Sequence, residues 1–169
     1  MQTYVTYLKN ATSLFLSKGA KVIISSPTPN NPWEYGNYSY TPTIFTYYSW
    51  YHSSPPLSFS IQLHHPTPKP NIHRLSVSQL GGTSSGVYFL PHSQYAAHMM
   101  QNLGIGIDQY FPLDHGHTAP YLASLVAQSF VLGLKCGTAP LQGLVTNATS
   151  RIEGGLLGTC LGVNRTLPI

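Results

Sequence analysis

Charged residues are scarce in this sequence of 169 residues. Only 7% of the residues are charged, with eight Lys and Arg against four carboxylates, whereas soluble domains usually carry about 25%. Coiled coils, acidic tails and charge-rich disordered chains need many more charges, so these classes are excluded. Any chemistry that requires a carboxylate must use Glu34, Asp108, Asp114 or Glu153.

Clustered basic residues and long apolar runs are also absent. The eight Lys and Arg residues are scattered along the chain, whereas nucleic-acid binding usually needs a basic stripe, so no nucleic-acid partner is expected. No run of roughly 18 apolar residues occurs, so the sequence predicts neither a membrane-spanning helix nor a membrane partner. The first residues, MQTYVTYLKNATSLFLSKG, lack the basic head and apolar core of a signal peptide.

Cysteine is nearly absent, but two features bear on secretion. Cys136 and Cys160 are too few for a disulfide scaffold, although a bridge between them would close a loop of about 25 residues and add roughly 3 kcal/mol. Two unpaired buried thiols are the alternative. Four Asn-x-Ser/Thr triplets are candidate glycosylation sites, although a chain rich in these residues produces some by chance. They begin at Asn10, Asn37, Asn147 and Asn164.

Helical and strand patterns alternate along most of the chain. Apolar residues at i, i+3, i+4 and i+7 predict an amphipathic helix over residues 3–18. The repeating residues are Tyr4, Tyr7, Leu8, Ala11, Leu14 and Phe15. Short apolar runs predict strands over 21–26 and 87–91, and helices are predicted over 95–103 and 119–135. This order is typical of an α/β fold, but two parallel strands are fewer than the usual five or six, so the fold is expected to be incomplete.

Residues 51–79 differ in character from the rest of the chain. They contain five prolines and four of the eight histidines, and they show no sustained hydrophobic period. A structureless stretch of about thirty residues is uncommon inside a compact domain. The predicted organisation is therefore one domain built from residues 1–50 and 80–161, a disordered Pro- and His-rich insertion over 51–79, and a tail over 162–169.

The segment YFPLDHGHTAP, residues 110–120, carries the clearest chemical pattern. Asp114 stands three positions before His117, on a turn ahead of a helix. A carboxylate there can accept a hydrogen bond from one imidazole nitrogen, which leaves the other nitrogen free to take a proton from a serine hydroxyl. The alternatives are that Asp114 caps the helix and that His115 and His117 are a solvated pair.

A resemblance to a known family supports the chemical interpretation. Residues 110–120, with VAQSF at 126–130, resemble the last conserved block of the SGNH (GDSL) hydrolases, and most of all the fungal rhamnogalacturonan acetylesterases. KGAKVIISS at 18–26, followed by TPNNPW at 28–33, is similar to a strand and loop of those enzymes. Cys136 and Cys160 fit their C-terminal bridge. The resemblance covers residues 4–50 and 80–161.

The resemblance implies a three-layer, flavodoxin-like domain that removes acetyl groups from pectic polysaccharide outside the cell. No cofactor is expected, and the complete domain is expected to be a monomer. His117 would be the general base that activates a serine, and Asp114 would orient it. A glycine and an asparagine from separate blocks would hold the oxyanion.

The sequence also departs from that family. No Gly-Asp-Ser nucleophile block and no Gly-x-Asn-Asp block occurs anywhere in it. Both would lie upstream of Met1, so the chain is expected to be the C-terminal half of an SGNH domain, with no esterase activity by itself. The alternative is an inactive truncated fragment, or a structural remnant that contacts carbohydrate.

Other polar residues carry weaker signals. His92 and His98 could join His117 in a zinc site, but their spacing matches no zinc template, so no metal site is expected. Asn30 and Asn31 are expected to bond backbone groups in a turn, with substrate contact as the alternative. For the tyrosines between 35 and 51, packing is the expected role and sugar stacking the alternative.

Overall fold

The computed structural model describes residues 4–43, 45, 82–137, 143, 145 and 155–161. The predicted insertion over 51–79, the tail over 162–169 and the triplets at Asn147 and Asn164 lie outside the described residues. The chain divides into two compact units. One takes the described residues up to Ile24 and those from 82 to Phe89, and the other takes the described residues from Ser25 to 45 and from Leu90 onwards.

A helix and two paired strands follow the predicted pattern. Helix α1 spans Tyr4–Ser17, strand β1 spans Val22–Ser25 and strand β2 spans Val87–Leu90. The amide of Val22 donates to the carbonyl of Gly86 at 2.9 Å, and the amide of Ser26 donates to the carbonyl of Leu90 at 3.1 Å. Both bonds join residues with the same separation in sequence, which is the pattern of a parallel pair of strands. The predicted α/β character is therefore confirmed.

The buried face of α1 matches the predicted one only in part, through Leu8. Ile24 and Val87 form a small core, against which Leu8 and Leu16 pack, and Thr12, between these two on the same face, is 2% exposed. The aromatic and apolar row at Tyr7, Leu14 and Phe15 is more than half exposed. The periodicity predicted the helix but did not distinguish two adjacent stripes on its surface, and the stripe through Leu8, Thr12 and Leu16 is the one that packs.

The second unit is built around two longer helices. Helix α2 spans His92–Leu103, helix α3 spans Pro120–Cys136, and a short 3-10 helix, Ile105–Tyr110, follows α2. Their buried apolar side chains form one core, to which residues outside these helices, Phe111 and Leu157, also contribute. Its buried members are Tyr95, Met99, Met100, Ile107, Phe111, Leu122, Leu132 and Leu157.

Helix α2 begins three residues earlier than the sequence predicted. The hydroxyl of Ser26 accepts a hydrogen bond from the amide of Ser93 at 2.8 Å. That bond satisfies one of the free N–H groups in the first turn of a helix. Because the acceptor lies 67 residues away in the sequence, no local signal could have placed this start.

The two cysteines are joined. Cys136, the last residue of α3, forms a disulfide with Cys160, with the Cα atoms 5.3 Å apart. The segment around Cys160 packs on α2, because the side-chain amide of Asn102 donates to the carbonyl of Leu156 at 3.0 Å and Leu157 is buried. The structure therefore contains the bridge rather than two unpaired thiols.

Gly158 occupies a position that other residues would strain. Its φ is +73°, and a Cβ added there would lie 2.7 Å from Nε2 of His98. We expect Gly158→Ala to lower the free energy of unfolding by about 1–2 kcal/mol, measured by urea denaturation. Gly106→Ala is the matched control, because its Cβ would meet only Gln109, at 4.0 Å. Equal stability of the two variants would contradict this expectation.

Candidate functional site

The Asp–His loop, residues 111–118, is closed at its base. The amide of Ala119 donates to the carbonyl of Tyr110 at 2.7 Å, and the rings of Tyr110 and Tyr121 lie 5.0 Å apart. Helix α3 begins directly afterwards at Pro120, a residue suited to the first helical position because it has no N–H to leave unpaired. The loop is thus held between the 3-10 helix and α3.

Asp114 organises the turn within this loop. Its Oδ1 accepts hydrogen bonds from the amides of Gly116 and His117, both at 2.7 Å. Its Oδ2 lies 2.6 Å from Nδ1 of His117. A carboxylate at that distance requires the proton on Nδ1, so Nε2 of the neutral ring carries the lone pair. The His117 side chain is 78% exposed, so this ring is accessible to another group.

The Asp114 carboxyl stays ionised over the whole physiological range. Hydrogen bonds from the Gly116 amide, the His117 ring and the His117 amide lower its pKa from 3.8 to about 2. A depressed pKa favours the folded turn above about pH 4, and this contribution is lost as the pH falls through about 2. The carboxylate is therefore available to balance an imidazolium at His117.

The observed contacts do not match the two alternatives for this turn, which are a helix cap at Asp114 and a solvated pair of His115 and His117. The residue that precedes α3 is Ala119, and no side chain caps the helix start, so Asp114 is not its cap. His117 bonds to Asp114, whereas Nδ1 of His115 lies 3.5 Å from Oε1 of Glu34. The two histidines are therefore paired with different carboxylates.

Two of the four carboxylates in the chain contact histidines of this loop, and a third, Asp108, lies in the 3-10 helix before it. Asp114 pairs with His117, Glu34 with His115, and Asp108 accepts a hydrogen bond from the side-chain amide of Asn31. Sequence reasoning missed the roles of Glu34 and Asp108. Glu34 belongs to the segment after β1, so only the tertiary fold reveals its partner. The TPNNPW motif was the available signal for that segment.

The segment after β1 is anchored by aromatic side chains. The indole N–H of Trp33 donates to the carbonyl of Met100 at 3.0 Å, and the hydroxyl of Tyr38 donates to the carbonyl of Ala97 at 3.2 Å. Their rings are 5.6 Å apart. Both contacts tie the segment to α2, which agrees with the packing role predicted for Tyr38.

A polar recess lies along the same segment. It has a volume of about 110 Å³, and the hydroxyl of Tyr40 donates to that of Ser93 at 2.7 Å on its wall. Its lining consists of amides, hydroxyl groups and prolines, and no charged side chain is among the described residues that form it. These are Pro27, Pro29, Asn30, Asn31, Ser39, Tyr40, Thr41, Thr43 and Ser93.

His92 is buried elsewhere in the second unit. Its Nε2–H donates to the carbonyl of Val126 at 3.1 Å, and its ring contacts that of Phe130 with 5.3 Å between centroids. Burial lowers its pKa, and hydrogen bonds to the backbone of Val126 and Ser26 oppose this effect. Within the described ranges, no three His, Cys, Asp or Glu side chains form a group that could hold a metal.

We expect His92 to destabilise the protein under acidic conditions. Its pKa in the folded state lies below the unfolded value of 6.5, so unfolded chains bind the proton more readily. The contribution to stability is full above pH 6.5 and is lost as the pH falls towards the folded pKa. His92→Gln should reduce the drop in urea midpoint between pH 7.5 and pH 5.5, whereas His115→Gln, which removes an exposed imidazole, should not. An unchanged drop in His92→Gln would refute this role.

In the part of the chain that the structure describes, no helix combines the length and apolar character needed to cross a membrane.

Comparison with known proteins identifies a relative of this chain. No family model matches the sequence. Over 145 residues the chain is 33% identical to a protein from Emericella nidulans named rhamnogalacturonan acetylesterase. The match covers 85% of this chain and 47% of the relative, in its C-terminal part. The chain thus spans about half the length of the curated relative that it matches.

Proposed function

The chain is related to a rhamnogalacturonan acetylesterase, as its resemblance to the SGNH hydrolases predicted, and from this relationship we propose a function. We propose that Asp114 and His117 form the base half of a carbohydrate acetylesterase site. The substrate class would be acetylated pectic polysaccharide of the rhamnogalacturonan type. The complete domain would be a three-layer, flavodoxin-like SGNH domain, to which this chain contributes the C-terminal part.

One observation carries this proposal: the 2.6 Å contact between Nδ1 of His117 and the Asp114 carboxylate. With the proton held on Nδ1, Nε2 can take a proton from a serine hydroxyl as the oxygen attacks the acetyl carbonyl. The imidazolium that forms lies against an ionised carboxylate. His117 then returns the proton to the leaving sugar oxygen, and water attacks the acetyl–serine ester in the second step.

The nucleophile and the oxyanion donors are not identified in this sequence. It contains no Gly-Asp-Ser and no Gly-x-Asn-Asp. We propose that both come from polypeptide that corresponds to the other part of the relative. Each lost oxyanion donor typically removes about 2.7–4 kcal/mol of transition-state stabilisation. The 169-residue chain by itself should therefore release no acetate.

Three further features are consistent with a secreted carbohydrate esterase. The recess along the segment after β1 is lined by neutral amides, hydroxyl groups and prolines, and the amides and hydroxyl groups suit contacts with sugar hydroxyls. The disulfide between Cys136 and Cys160 is typical of an oxidising compartment. Asn10 and Asn37, the two triplet asparagines within the described residues, are exposed. These features support the proposed secretion and glycosylation.

A second candidate is a carbohydrate-binding remnant without activity. The missing nucleophile block favours this candidate, because the polar recess could bind sugars without any reaction. It predicts that the chain binds acetylated rhamnogalacturonan. It also predicts that no acetate is released, even when a serine nucleophile is supplied by added polypeptide.

The decisive experiment supplies the parts that this sequence lacks. The full 169-residue chain would replace the C-terminal part of the Emericella nidulans relative, which it matches. We expect this chimera to release acetate from acetylated rhamnogalacturonan, and the chain alone to release none. Acetate release by the unmodified chain, abolished by His117→Ala, would contradict the need for an added nucleophile. An inactive but folded chimera would favour the remnant.

A further inference from the structure

Asn31 contacts the Asp–His loop and the helix that leads into it. Its backbone amide donates to the carbonyl of His115 at 2.7 Å. Its side-chain amide donates to Oδ1 of Asp108 in the preceding 3-10 helix. The first contact lies two residues before His117, inside the turn that Asp114 organises. One residue therefore bridges the 3-10 helix and the loop that carries the Asp–His couple.

Asn31 is itself firmly held. Its Oδ1 accepts a hydrogen bond from the amide of Trp33 at 3.0 Å, and the residue is only 9% exposed. Trp33 packs against the core of the second unit, and its indole N–H bonds to the carbonyl of Met100 in α2. A continuous set of contacts thus runs from α2 through Trp33 and Asn31 to the loop.

The chemistry of an amide suits this position. The side-chain oxygen is used by an N–H donor, while the NH₂ group faces a carboxylate, so each half of the amide has the partner that it needs. A hydrogen bond to an ionised acceptor is stronger than one between neutral groups. A carboxylate at position 31 would accept from Trp33 equally well, but it would repel Asp108.

We propose that Asn31 is a positioning residue for Asp114 and His117. It fixes the turn on which these two side chains meet, acting through His115 and Asp108 rather than on the substrate. The catalytic part of this role rests on the proposed function. The structural part, a dependence of the Asp114–His117 contact on Asn31, can be measured without any reaction.

The test follows the His117 ring by ¹⁵N NMR in the full chain, at a pH where the imidazole is neutral. In the unchanged protein the proton should be on Nδ1. Asn31→Asp should move the ring towards a mixture of tautomers, because two carboxylates then face each other at positions 31 and 108. The double variant Asn31→Asp, Asp108→Asn reverses donor and acceptor, and it should restore the Nδ1–H form.

Two further variants keep the test decisive. Asn37→Asp adds the same charge at an exposed asparagine of the same segment and should leave the tautomer unchanged. Asp108→Ala removes the partner from an exposed position, and it decides the matter if Asn31→Asp does not fold. An unchanged ring in Asn31→Asp or in Asp108→Ala would overturn the proposal. So would failure of the double variant to restore the tautomer, or an equal effect of Asn37→Asp.

The same substitution in the chimera separates this proposal from the proposed function. There Asn31→Asp should lower kcat by about 10²-fold with little change in KM, since misplacement of a catalytic group by about 1 Å has that cost. An inactive chimera whose parent chain shows the expected tautomer changes would count against the esterase and leave the positioning role standing. Activity unaffected by Asn31→Asp would count against the positioning role alone.

Discussion

His117→Ala in the chimera is expected to lower kcat for acetate release by about 10⁴-fold or more, because loss of the general base of a triad has effects of this size. The observation behind this expectation is the exposed imidazole whose Nδ1 faces the Asp114 carboxylate. Nε2 is then the nitrogen available to deprotonate a serine. Water cannot replace this base efficiently at neutral pH. The measurement is the steady-state rate of acetate release from acetylated rhamnogalacturonan.

Asp114→Asn should be nearly as damaging, for a reason specific to this turn. The amides of Gly116 and His117 both need an acceptor, so the carbonyl oxygen of an asparagine would face them. Its NH₂ group would then face Nδ1 of His117 and force the ring proton onto Nε2. A wrong tautomer of this kind lowers kcat by about 10⁴-fold in an analogous Ser-His-Asp triad on another fold.

The matched control for both variants is His115→Ala. His115 is the neighbouring exposed imidazole, but its ring partner is Glu34 rather than Asp114. We expect its rate to stay within about tenfold of the unchanged chimera, since its side chain makes no contact with the Asp114 carboxylate. Equal losses in His115→Ala and His117→Ala would show that the loop, and not one base, is responsible.

Removal of the disulfide is expected to cause the largest loss of stability. The bridge joins Cys136 to Cys160 across 24 positions, and a loop of that length contributes roughly 3 kcal/mol by restricting the unfolded chain. The segment that it closes also supplies Leu157 to the core of the second unit. Cys136→Ser with Cys160→Ser should therefore lower the free energy of unfolding by about 3 kcal/mol, measured by urea denaturation.

A comparison with the reduced protein serves as the control. The unchanged chain, denatured in the presence of a thiol reductant, should approach the stability of the double serine variant, and the variant should not respond to the reductant. A variant as stable as the oxidised protein would show that the bridge does not support the fold.

Local patterns predicted most of the elements but not their long-range partners. The periods that predicted α1, α3 and the two strands are properties of neighbouring residues, so a sequence reveals them. The start of α2 depends on Ser26, and the buried face of α1 depends on which row meets Ile24 and Val87. In both cases tertiary contacts select between arrangements that the local sequence does not distinguish.

The candidate site likewise combines a local contact that the sequence predicts with long-range contacts that it does not predict. Asp114 and His117 are three residues apart, so one turn brings them together and the sequence alone predicts their pairing. The contacts of Asn31 with Asp108 and of Glu34 with His115 each join residues more than 70 positions apart. Such pairs depend on how the segment after β1 packs beside α2, which no spacing encodes.

The most direct test of this account is the tautomer of the His117 ring in the unmodified 169-residue chain. Long-range ¹⁵N–¹H NMR at a pH where the imidazole is neutral distinguishes a proton on Nδ1 from one on Nε2. We predict the Nδ1–H form in the unchanged protein and the Nε2–H form in Asp114→Asn. The same mixture of tautomers in both proteins would mean that Asp114 does not orient His117. That result would contradict the proposed role of His117 as a general base.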